Sequence, residues 1–501
     1  MENNIKEIEA HLNRLSRPLN FNEKNIAMVL SAGHGKRIKS ETSKMLHEVW
    51  GVPTVMRVAR AAQFGLDCDN QIIIVGIKAV DVANACGARN NRSFAYQAEQ
   101  CGTGHAVKIG LQKLDGHVHD GNIYVFPGDV GLLSKDVVST FRQDFENTVC
   151  DMMVLTSLFR GKPEDNYYGR IVRVPEKDDQ GKDSPESGMV IEIKEHKDIL
   201  ALPDDKPYTI TYHDRKYSFS KQQLIAINEF NTGLFAFKAT ALTEKINHLK
   251  EDNVQGELYI TDLIHIFNQD GLTVGAAATK DENAVLGFNV KSVLKQMENI
   301  ARDSVYDKLK DTITIADRDD FFIADEVVEQ ILEMDKTSGP LDIEIGKGVY
   351  IGPNVKLNKG VVINSGAELV GNIVLGEYIV IDQGVNLSTY DHQVMRIGSN
   401  TEIFKGDIIK GNLIIGNNCR IESGVNITGS DDYPARIGNN VLIKGTSRVF
   451  GCTIEDDVFI EHSVLKFYYV ERTVRKDGTI QPIQWVLPQP LGLDSIRQLK
   501  H

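Results

Sequence analysis

The 501-residue sequence predicts a doubly wound, Rossmann-like α/β domain followed by a parallel β-helix. Apolar strand segments alternate with helix-like segments between residues 26 and 289, which is typical of a parallel sheet covered by helices. From about residue 341, aliphatic residues recur at every sixth position. The expected parts are a helical extension, the α/β domain, a helical linker, the β-helix and a tail, at residues 1–24, 25–290, 291–340, 341–466 and 467–501.

The N-terminal extension is predicted to form an amphipathic helix before the first strand. Its apolar residues stand at near-helical spacing and are Ile5, Ile8, Leu12 and Leu15. We expect this helix to pack against the α/β domain.

The α/β domain is expected to bind its ligand at one edge of the sheet. Its predicted strands are 26–30, 71–75, 122–125 and 151–156. Its predicted helices are 54–64, 104–114 and 134–146. In such sheets ligands bind beyond the carboxyl ends of the strands, where the loops 30–37 and 126–131 would lie.

The first of these loops has the composition of a phosphate-binding loop. The buried strand leads into Gly33 and Gly35, which allow positive φ and leave backbone N–H groups open to a ligand. Arg37 and Lys44 then add positive charge. The sequence therefore predicts an anion-binding loop.

The six-residue period predicts stacked triangular coils, each with an inward aliphatic side chain on every face. These aliphatic positions are Ile345, Ile351, Leu357, Ile363, Leu369, Leu375, Ile381, Leu387, Ile397, Ile403, Ile415, Ile421, Ile427, Ile437, Ile443 and Val449. Two interruptions, 388–396 and 429–436, are expected to be loops. Residues 291–311 are predicted to form a connecting helix. Residues 317–325 are predicted to form an acidic surface linker, followed by a short helix. The tail from about residue 467 falls outside the repeat.

Composition and charge limit the kinds of molecule that this protein is expected to bind. The net charge of −13 disfavours nucleic-acid binding, so a cationic loop favours a small anionic ligand. No apolar run approaches the roughly 18 to 20 residues that span a bilayer, so we expect no membrane contact. The six cysteines have no CxxC spacing, which argues against a structural zinc site or a disulfide framework. A cytoplasmic protein is expected.

A series of motifs carries a family resemblance. They are Leu30-Ser-Ala-Gly-His-Gly-Lys-Arg-Ile with Lys44, and the segments 97–106, 127–130, 168–172, 195–198, 231–233, 255–262 and 287–289. In this order they resemble the bifunctional N-acetylglucosamine-1-phosphate uridyltransferase family over about residues 25 to 465. The resemblance implies a nucleotidyltransferase domain with a left-handed β-helix. It also implies attack of a sugar-1-phosphate oxygen on the α-phosphorus of UTP, with release of pyrophosphate.

The same resemblance implies a role for each matching residue. Arg37 and Lys44 would be catalytic, stabilising charge on the triphosphate, and Asp129 and Asn289 would hold Mg²⁺, a cation that prefers such oxygen ligands. The residues implied in nucleotide binding are Leu30, Ala32, Gly33, Gly35, Gln97, Gly102 and Thr103. Those implied in sugar binding are Gly169, Glu195 and Asn231.

The sequence departs from the family pattern in its phosphate loop and near its sugar residues. Lys36 stands where a small hydroxyl residue is usual, and Gly131 replaces a proline. The link between Asp198 and Asn231 is long, and residues 208–219 within it are predicted to form an extra hairpin beside the sugar pocket.

The β-helix lacks the family's acetyltransferase signatures, so acetyl transfer is in doubt. His392, in the first interruption, is the best candidate for a general base, as in similar hexapeptide acyltransferases. The alternative is that the β-helix only assembles subunits into a homo-oligomer, commonly a trimer in proteins of similar architecture.

The function favoured by these observations is UTP-dependent synthesis of a UDP-sugar, most simply UDP-N-acetylglucosamine. Three alternatives stay open: a pyrophosphorylase for another sugar or nucleotide, a bifunctional enzyme with acetyltransferase activity, and a non-catalytic nucleotide-sugar-binding scaffold.

Overall fold

The structure is a computed structural model, which describes residues 2–33, 35–488 and 495. It divides into two compact units, Met1–Glu298 and Asn299–His501. Across the described part of the chain, no helix combines the length and the apolar character needed to cross a membrane.

The first unit is built on one mixed sheet with helices on both faces. Its strands are β1 (Asn25–Ser31), β2 (Glu48–Val49), β3 (Val52–Pro53), β4 (Gln71–Val75), β5 (Arg92–Tyr96), β6 (Asn122–Pro127), β7 (Met152–Leu158), β8 (Arg170–Arg173), β9 (Val190–Lys194), β10 (Tyr208–Tyr212), β11 (Arg215–Phe219), β12 (Glu229–Lys238) and β13 (Val274–Ala278). The helices are α1 (Glu2–Leu15), α2 (Thr54–Leu66), α3 (Ala79–Cys86), α4 (Thr103–Leu111), α5 (Lys135–Asn147), α6 (His196–Ala201), α7 (Lys221–Ala226), α8 (Ala239–Lys245) and α9 (Leu263–Gln269). Helix α10 (Lys291–Leu309) includes the residues at which the two units divide.

The strand order of the main sheet is β13-β7-β12-β6-β1-β4-β5, with β8 and β9 joined through β12. The central strands β6, β1, β4 and β5 are parallel, whereas β12 runs antiparallel to both of its neighbours. Apolar clusters fill both faces of the sheet, and every residue of β4 is buried. This arrangement confirms the doubly wound α/β prediction.

The register of the central strands positions the expected binding edge. Leu30, near the end of β1, lies opposite Pro127, the last residue of β6. Gly128 N–H also donates to the carbonyl of Leu30 at 2.9 Å. The glycine-rich loop and the loop after β6 therefore leave the sheet side by side.

Helix α1 covers an edge of the sheet, as its amphipathic pattern predicts. Leu12 is 2% exposed within the core on that face, and the following segment runs along the edge strand β5. There Arg17 N–H donates to Arg92 O at 2.7 Å, and Phe94 N–H donates to Ser16 Oγ at 3.0 Å. The extension thus satisfies backbone groups that an open edge would leave unpaired.

Strands β10 and β11 form the predicted extra hairpin, with Tyr208 paired to Phe219. Both turn residues, His213 and Asp214, have positive φ, which matches a two-residue hairpin turn. The inner face of the hairpin packs on β8, β9 and α6 through a separate apolar cluster that includes Tyr217.

The second unit is the predicted left-handed parallel β-helix. Its strands are β14 (Thr314–Ile315), β15 (Phe321–Ile323), β16 (Glu344–Ile345), β17 (Val349–Ile351), β18 (Val355–Lys356), β19 (Val362–Ile363), β20 (Glu368–Val370), β21 (Ile373–Leu375), β22 (Val380–Ile381), β23 (Asn386–Ser388), β24 (Met395–Ile397), β25 (Glu402–Ile403), β26 (Ile408–Gly411), β27 (Leu413–Ile415), β28 (Arg420–Ile421), β29 (Asn426–Gly429), β30 (Ala435–Ile437), β31 (Leu442–Ile443), β32 (Arg448–Phe450), β33 (Thr453–Ile454), β34 (Phe459–Glu461), β35 (Val464–Lys466), β36 (Tyr469–Val470) and β37 (Ile483–Gln484). Helix α11 (Asp325–Ser338) lies between β15 and β16.

These strands form three parallel sheets of nine, eight and seven strands, one for each face of the coil. All sixteen aliphatic positions of the predicted repeat are buried. Ile409 is buried as well, so the six-residue period runs unbroken from Ile397 to Ile427. The two interruptions are loops between β23 and β24 and between β29 and β30, as expected.

The coil stack extends past the expected bounds 341–466 at both ends. The expected linker is wrong at 314–323, because β14 and β15 pair with β16 and β17. Helix α11 interrupts the chain there and hides the repeat, and it has 14 residues rather than being short. In the tail, β36 and β37 pair with β33 and β34, while 489–494 and 496–501 lie outside the described residues.

At one corner of the β-helix, side-chain oxygens of Asn and Asp accept hydrogen bonds from the neighbouring coil. Ser399 N–H donates to Asn417 Oδ1 and Asn417 N–H to Asn439 Oδ1, each at 2.8 Å. Asn439 N–H then donates to Asp456 Oδ1 at 2.6 Å. This ladder pairs turn N–H groups that the three sheets leave free.

Another corner buries a carboxyl group. Asp407 is 0% exposed; its Oδ1 accepts from Val425 N–H at 2.8 Å, but its Oδ2 has no partner among the described residues. Burial raises the pKa of Asp407 to about 7, although backbone N–H groups oppose the shift. Because the folded pKa lies above the unfolded one, unfolding releases a proton between about pH 4 and 7, and the β-helix loses stability as the pH rises through that window.

We predict that Asp407→Asn raises the melting temperature relative to the natural chain by roughly several degrees more at pH 8 than at pH 5. The amide keeps an acceptor for Val425 N–H and removes the buried charge. Thermal unfolding at both pH values measures the difference. Asp456→Asn, at an exposed carboxylate that also accepts from a backbone N–H, is the control. An equal effect of Asp407→Asn at the two pH values would contradict the prediction.

Candidate active site

The glycine-rich loop after β1 packs directly on the stem of Lys44. Gly35 has φ of +61°, and a Cβ there would lie 2.8 Å from Lys44 Cβ. A 3₁₀ turn, Lys36–Ile38, follows, and a second one, Lys44–Leu46, begins at Lys44 itself. The side chain of Lys36 lies outside the described part of the structure, so its predicted role stays open.

Lys44 is the centre of a cluster drawn from three distant segments. Its ammonium group donates to the carboxylate of Asp129 and, at 3.0 Å, to Asn289 Oδ1. Its Nζ also lies 5.4 Å from the centre of the Phe288 ring, a cation–π contact. Lys44 is 8% exposed although it is charged, so the cluster is a pre-formed polar site rather than a surface ion pair.

Small residues allow the segments of this cluster to approach. A Cβ at Gly287 would lie 3.3 Å from Asp129 Oδ2, and a Cβ at Gly128 would lie 2.5 Å from Ser31 Oγ. The chain at 287–289 therefore lies against the carboxylate, and the turn before Asp129 lies against the end of β1.

The same cluster could hold a divalent cation. Asp129 and Asn289 direct a carboxylate oxygen and an amide oxygen toward one cationic point, which is the donor chemistry of a hard metal ion. Among the described residues, no group of three or more His, Cys, Asp or Glu side chains could hold a metal. The two oxygens fit a metal that takes its other ligands from phosphate and water.

Arg37 does not join this cluster. It lies in the 3₁₀ turn after Gly35 and is exposed. The structure thus brings Lys44, Asp129 and Asn289 together and leaves Arg37 at the rim of the loop.

The three predicted sugar residues also meet. Gly169 O accepts from Asn231 N–H at 2.9 Å, and a Cβ at Gly169 would lie 3.0 Å from Glu195 Oε1. Asn231 Oδ1 accepts from Gly233 N–H at 2.8 Å, where β12 is irregular, so its Nδ2 remains to donate. An added Cβ would also lie 2.9 Å from Ile193 Cγ2, so any larger residue at 169 would make the side chains of Ile193 and Glu195 shift.

Glu195 is half-buried at the start of α6, and its environment changes its charge. Burial, then repulsion by Asp198 and Asp262, raises the pKa of Glu195 to about 7. The carboxyl is therefore fully ionised only above neutral pH, or when a bound donor stabilises its charge.

The predicted nucleotide-binding residues after β5 form a tight turn. Gln97 is 3% exposed, and its Nε2 donates to Gly102 O at 3.2 Å. A Cβ at Gly102 would lie 2.5 Å from Leu258 O, and Thr103 Oγ1 accepts from Ile260 N–H at 3.1 Å. This turn is held both by the segment 258–260 and by α4, since Ala106 N–H donates to Gly102 O at 3.2 Å.

Three residues near the site were not singled out by sequence reasoning. Phe288 lies under the Lys44 ammonium, and Tyr168 stacks on Phe230 at 4.5 Å. Burial, then the charge of Asp129, raises the pKa of Tyr168. Phe288 and Tyr168 directly precede the predicted residues Asn289 and Gly169, within the motifs 287–289 and 168–172, and that position is the signal that could have found them.

Arg170 is the third, and it is fully buried beside Gly169. Its guanidinium donates to the carbonyls of Tyr168, Pro163 and Asn166, the last at 2.6 Å. It therefore holds the loop before Gly169 in place.

His392 lies in the second unit, where it faces the other coil loop. Its Nε2 is 2.8 Å from Asp431 Oδ2, and Gln393 Nε2 donates to Asp431 Oδ1 at 2.9 Å. Hydrogen bonds from Gln393 and then His392 lower the pKa of Asp431. Both His392 and Asp431 are exposed, so they form a solvent-accessible pair.

Comparison with known proteins agrees with this geometry. A family model for the MobA-like NTP transferase domain matches residues 27–182, which contain the glycine-rich loop, Lys44 and Asp129. With the doubly wound sheet, this match identifies a nucleotidyltransferase domain.

Curated proteins named bifunctional protein GlmU are similar over both units. The one from Streptomyces avermitilis is 30% identical over 385 residues, 75% of this chain and 71% of that protein. Those from Clostridium tetani and Acetivibrio thermocellus are 33% and 29% identical, over 61% and 75% of this chain and 58% and 74% of theirs. The chain belongs to the GlmU family.

We predict that Gly35→Ala weakens UTP binding by roughly tenfold, because the new methyl group displaces the stem of Lys44. Gly116→Ala is the control, since Gly116 has φ of +76° and nothing within 4 Å of an added Cβ. A positive φ strains alanine at both positions, so both variants should lose some stability. Calorimetric titration with UTP measures the difference, and equal affinities for the two variants would refute the role of the contact.

Proposed function

We propose that this chain transfers a uridylyl group from UTP to N-acetylglucosamine-1-phosphate, forming UDP-N-acetylglucosamine and pyrophosphate, with Mg²⁺ as cofactor. The convergence of Lys44, Asp129 and Asn289 beside the glycine-rich loop carries the proposal. A binding module has no need of a buried lysine, a carboxylate and an amide at one point.

Charge neutralisation and alignment are the main tasks of the site. The sugar phosphate oxygen attacks the α-phosphorus in line with the departing pyrophosphate, so negative charge builds up on the phosphate oxygens. In this proposal Lys44 and Arg37 hold the triphosphate, and N–H groups of the loop from Leu30 through Ala32 and Gly33 to Gly35 complete its cradle. Asp129 and Asn289 would hold Mg²⁺, which supplies further charge neutralisation.

The remaining residues select the base and the sugar. Gln97, Gly102 and Thr103 would meet the uracil edge. Glu195 would accept from a sugar hydroxyl and Asn231 Nδ2 would donate to one, while Gly169 lets the sugar approach the backbone. A hydroxyl donor stabilises the charged form of Glu195, so sugar binding should lower the pKa of its carboxyl.

We predict pyrophosphate release from UTP and Mg²⁺ that depends on the sugar, fastest with N-acetylglucosamine-1-phosphate in a panel that includes glucosamine-1-phosphate and glucose-1-phosphate. A coupled phosphate assay measures it. Asp129→Ala should reduce the rate by at least about 10³-fold with the fold retained, whereas the exposed Asp120→Ala should not. Preference for GTP, dTTP or ATP would favour a pyrophosphorylase for another nucleotide, and no release with any pair would favour a binding scaffold.

A second activity, acetyl transfer at the β-helix, is favoured by the His392–Asp431 pair. If His392 Nε2–H donates to Asp431, Nδ1 can take a proton from an amine as it attacks the thioester carbonyl of acetyl-CoA. The C–S bond then breaks to leave an N-acetyl group on the amine, and the imidazolium returns the proton to the departing thiolate of coenzyme A. Asp431 would keep the imidazole oriented and stabilise its charged form.

For this activity we predict thiol release from acetyl-CoA that requires glucosamine-1-phosphate. It should fall by about 10²-fold or more in His392→Gln and by less in Asp431→Asn, with pyrophosphate release unchanged in both. A thiol-reactive dye measures it. Absence of thiol release in the natural chain would leave the β-helix with assembly alone.

Assembly and location complete the proposal. Several outward side chains of the β-helix are apolar and exposed, among them Val370, Ile408 and Ile414, which are 40%, 46% and 41% exposed. These support a homo-oligomer, which we propose to be a trimer in the cytoplasm with residues 25–290 as the catalytic domain.

A further inference from the structure

In the first unit, which we call the catalytic unit, two cations would bind the same pair of oxygen atoms. Lys44 Nζ lies between the Asp129 carboxylate and Asn289 Oδ1, the two oxygens that fit a divalent metal ion. The ammonium group is therefore at, or within hydrogen-bond distance of, the place where that metal would be coordinated.

The two cations compete for these oxygens. A metal ion bound by Asp129 and Asn289 would lie within a few ångström of Nζ, and in a poorly hydrated site the repulsion between the charges is weakly screened. Each oxygen has more than one lone pair, so the contact with Lys44 does not block metal ligation, but it opposes it through that repulsion.

The stem of Lys44 limits where its ammonium can go. Its Cβ lies 2.8 Å from the position of an added Cβ on Gly35, and its backbone begins a 3₁₀ turn. Lys44 Cγ and Cδ lie 3.4 and 3.5 Å from the same position, so the side chain follows the glycine-rich loop as far as Cδ. An ammonium group that leaves Asp129 stays beside that loop, where we propose the phosphates bind.

We propose that Lys44 is a place-holder for the metal: in the nucleotide-free protein its ammonium neutralises Asp129, and entry of the divalent cation with the nucleotide releases it toward the phosphates. This inference rests on the proposed function for the identity of the nucleotide. Because the phosphates give the displaced ammonium group new partners, metal and nucleotide bind cooperatively, and each binds more weakly without the other.

The test measures binding of Mn²⁺ to the full-length protein without substrate, by the loss of the free-ion signal in electron paramagnetic resonance. We expect weak binding by the natural chain and binding tighter by about tenfold or more in Lys44→Met, which removes the competing charge. Lys44→Arg keeps the charge and should bind as weakly as the natural chain. Arg37→Met removes one positive charge from the same loop without touching Asp129, and it should change the affinity by less than about twofold.

A second measurement covers the case in which Lys44→Met does not fold. In the natural chain a non-reactive UTP analogue should tighten Mn²⁺ binding by about tenfold or more, and Mn²⁺ should tighten analogue binding by the same factor. Equal or weaker Mn²⁺ binding in a folded Lys44→Met, or Mn²⁺ binding by the natural chain that ignores the analogue, would overturn the proposal. Failure of the proposed function is a separate result, because absence of pyrophosphate release does not alter Mn²⁺ affinity in the free protein.

Discussion

Parallel pairing of β1 with β6 is the constraint on which the catalytic unit depends. It sets Leu30 opposite Pro127 at the same edge of the sheet, so the chain turns into the glycine-rich loop and into the Asp129 turn side by side. Everything that follows in the site uses that edge: Lys44 reaches back across the loop to Asp129, and the segment before Asn289 closes on both. A shift of one residue in this register would turn the side chains to the opposite face.

The two units use buried polar groups in different ways. In the catalytic unit, Lys44 and Asp129 are opposite charges in contact, so burial is tolerated and each holds the other ready for a ligand. In the β-helix, Asp407 is buried against backbone N–H groups, and its charge weakens the coil stack as the pH rises. Arg170 is a third case, since its charge is solvated by carbonyl groups of the loop it holds.

The fold could be predicted because the patterns that specify it lie between residues close together in the sequence. The alternation of strands and helices and the six-residue repeat are both visible in the sequence, and the buried aliphatic side chains follow them. The strands at 314–323 could not be predicted, because α11 separates them from the repeat that they join. After Ile460 the buried aliphatic residues stand five positions apart, at Leu465 and Val470, and residues 471–482 separate β37 from the repeat, so the strands past 466 were not predicted.

The site was predictable as a list of residues and not as an arrangement. Family motifs name Lys44, Asp129 and Asn289, but nothing in a motif says that the ammonium lies between the two oxygens. Likewise, Asp431 is 39 positions from His392, and only the stacking of coils makes them neighbours. Contacts of this kind depend on register across strands, which no local pattern reports.

The corner ladder from Ser399 through Asn417 and Asn439 has a consequence for how such a chain can change length. Each rung is the same side-chain bond between one coil and the next, and each coil is otherwise in contact only with its neighbours. A duplicated or deleted coil can therefore splice into the stack by remaking one rung and three strand pairs. Gene duplication can therefore change the number of coils in the β-helix one coil at a time. Most of the existing contacts stay the same when it does.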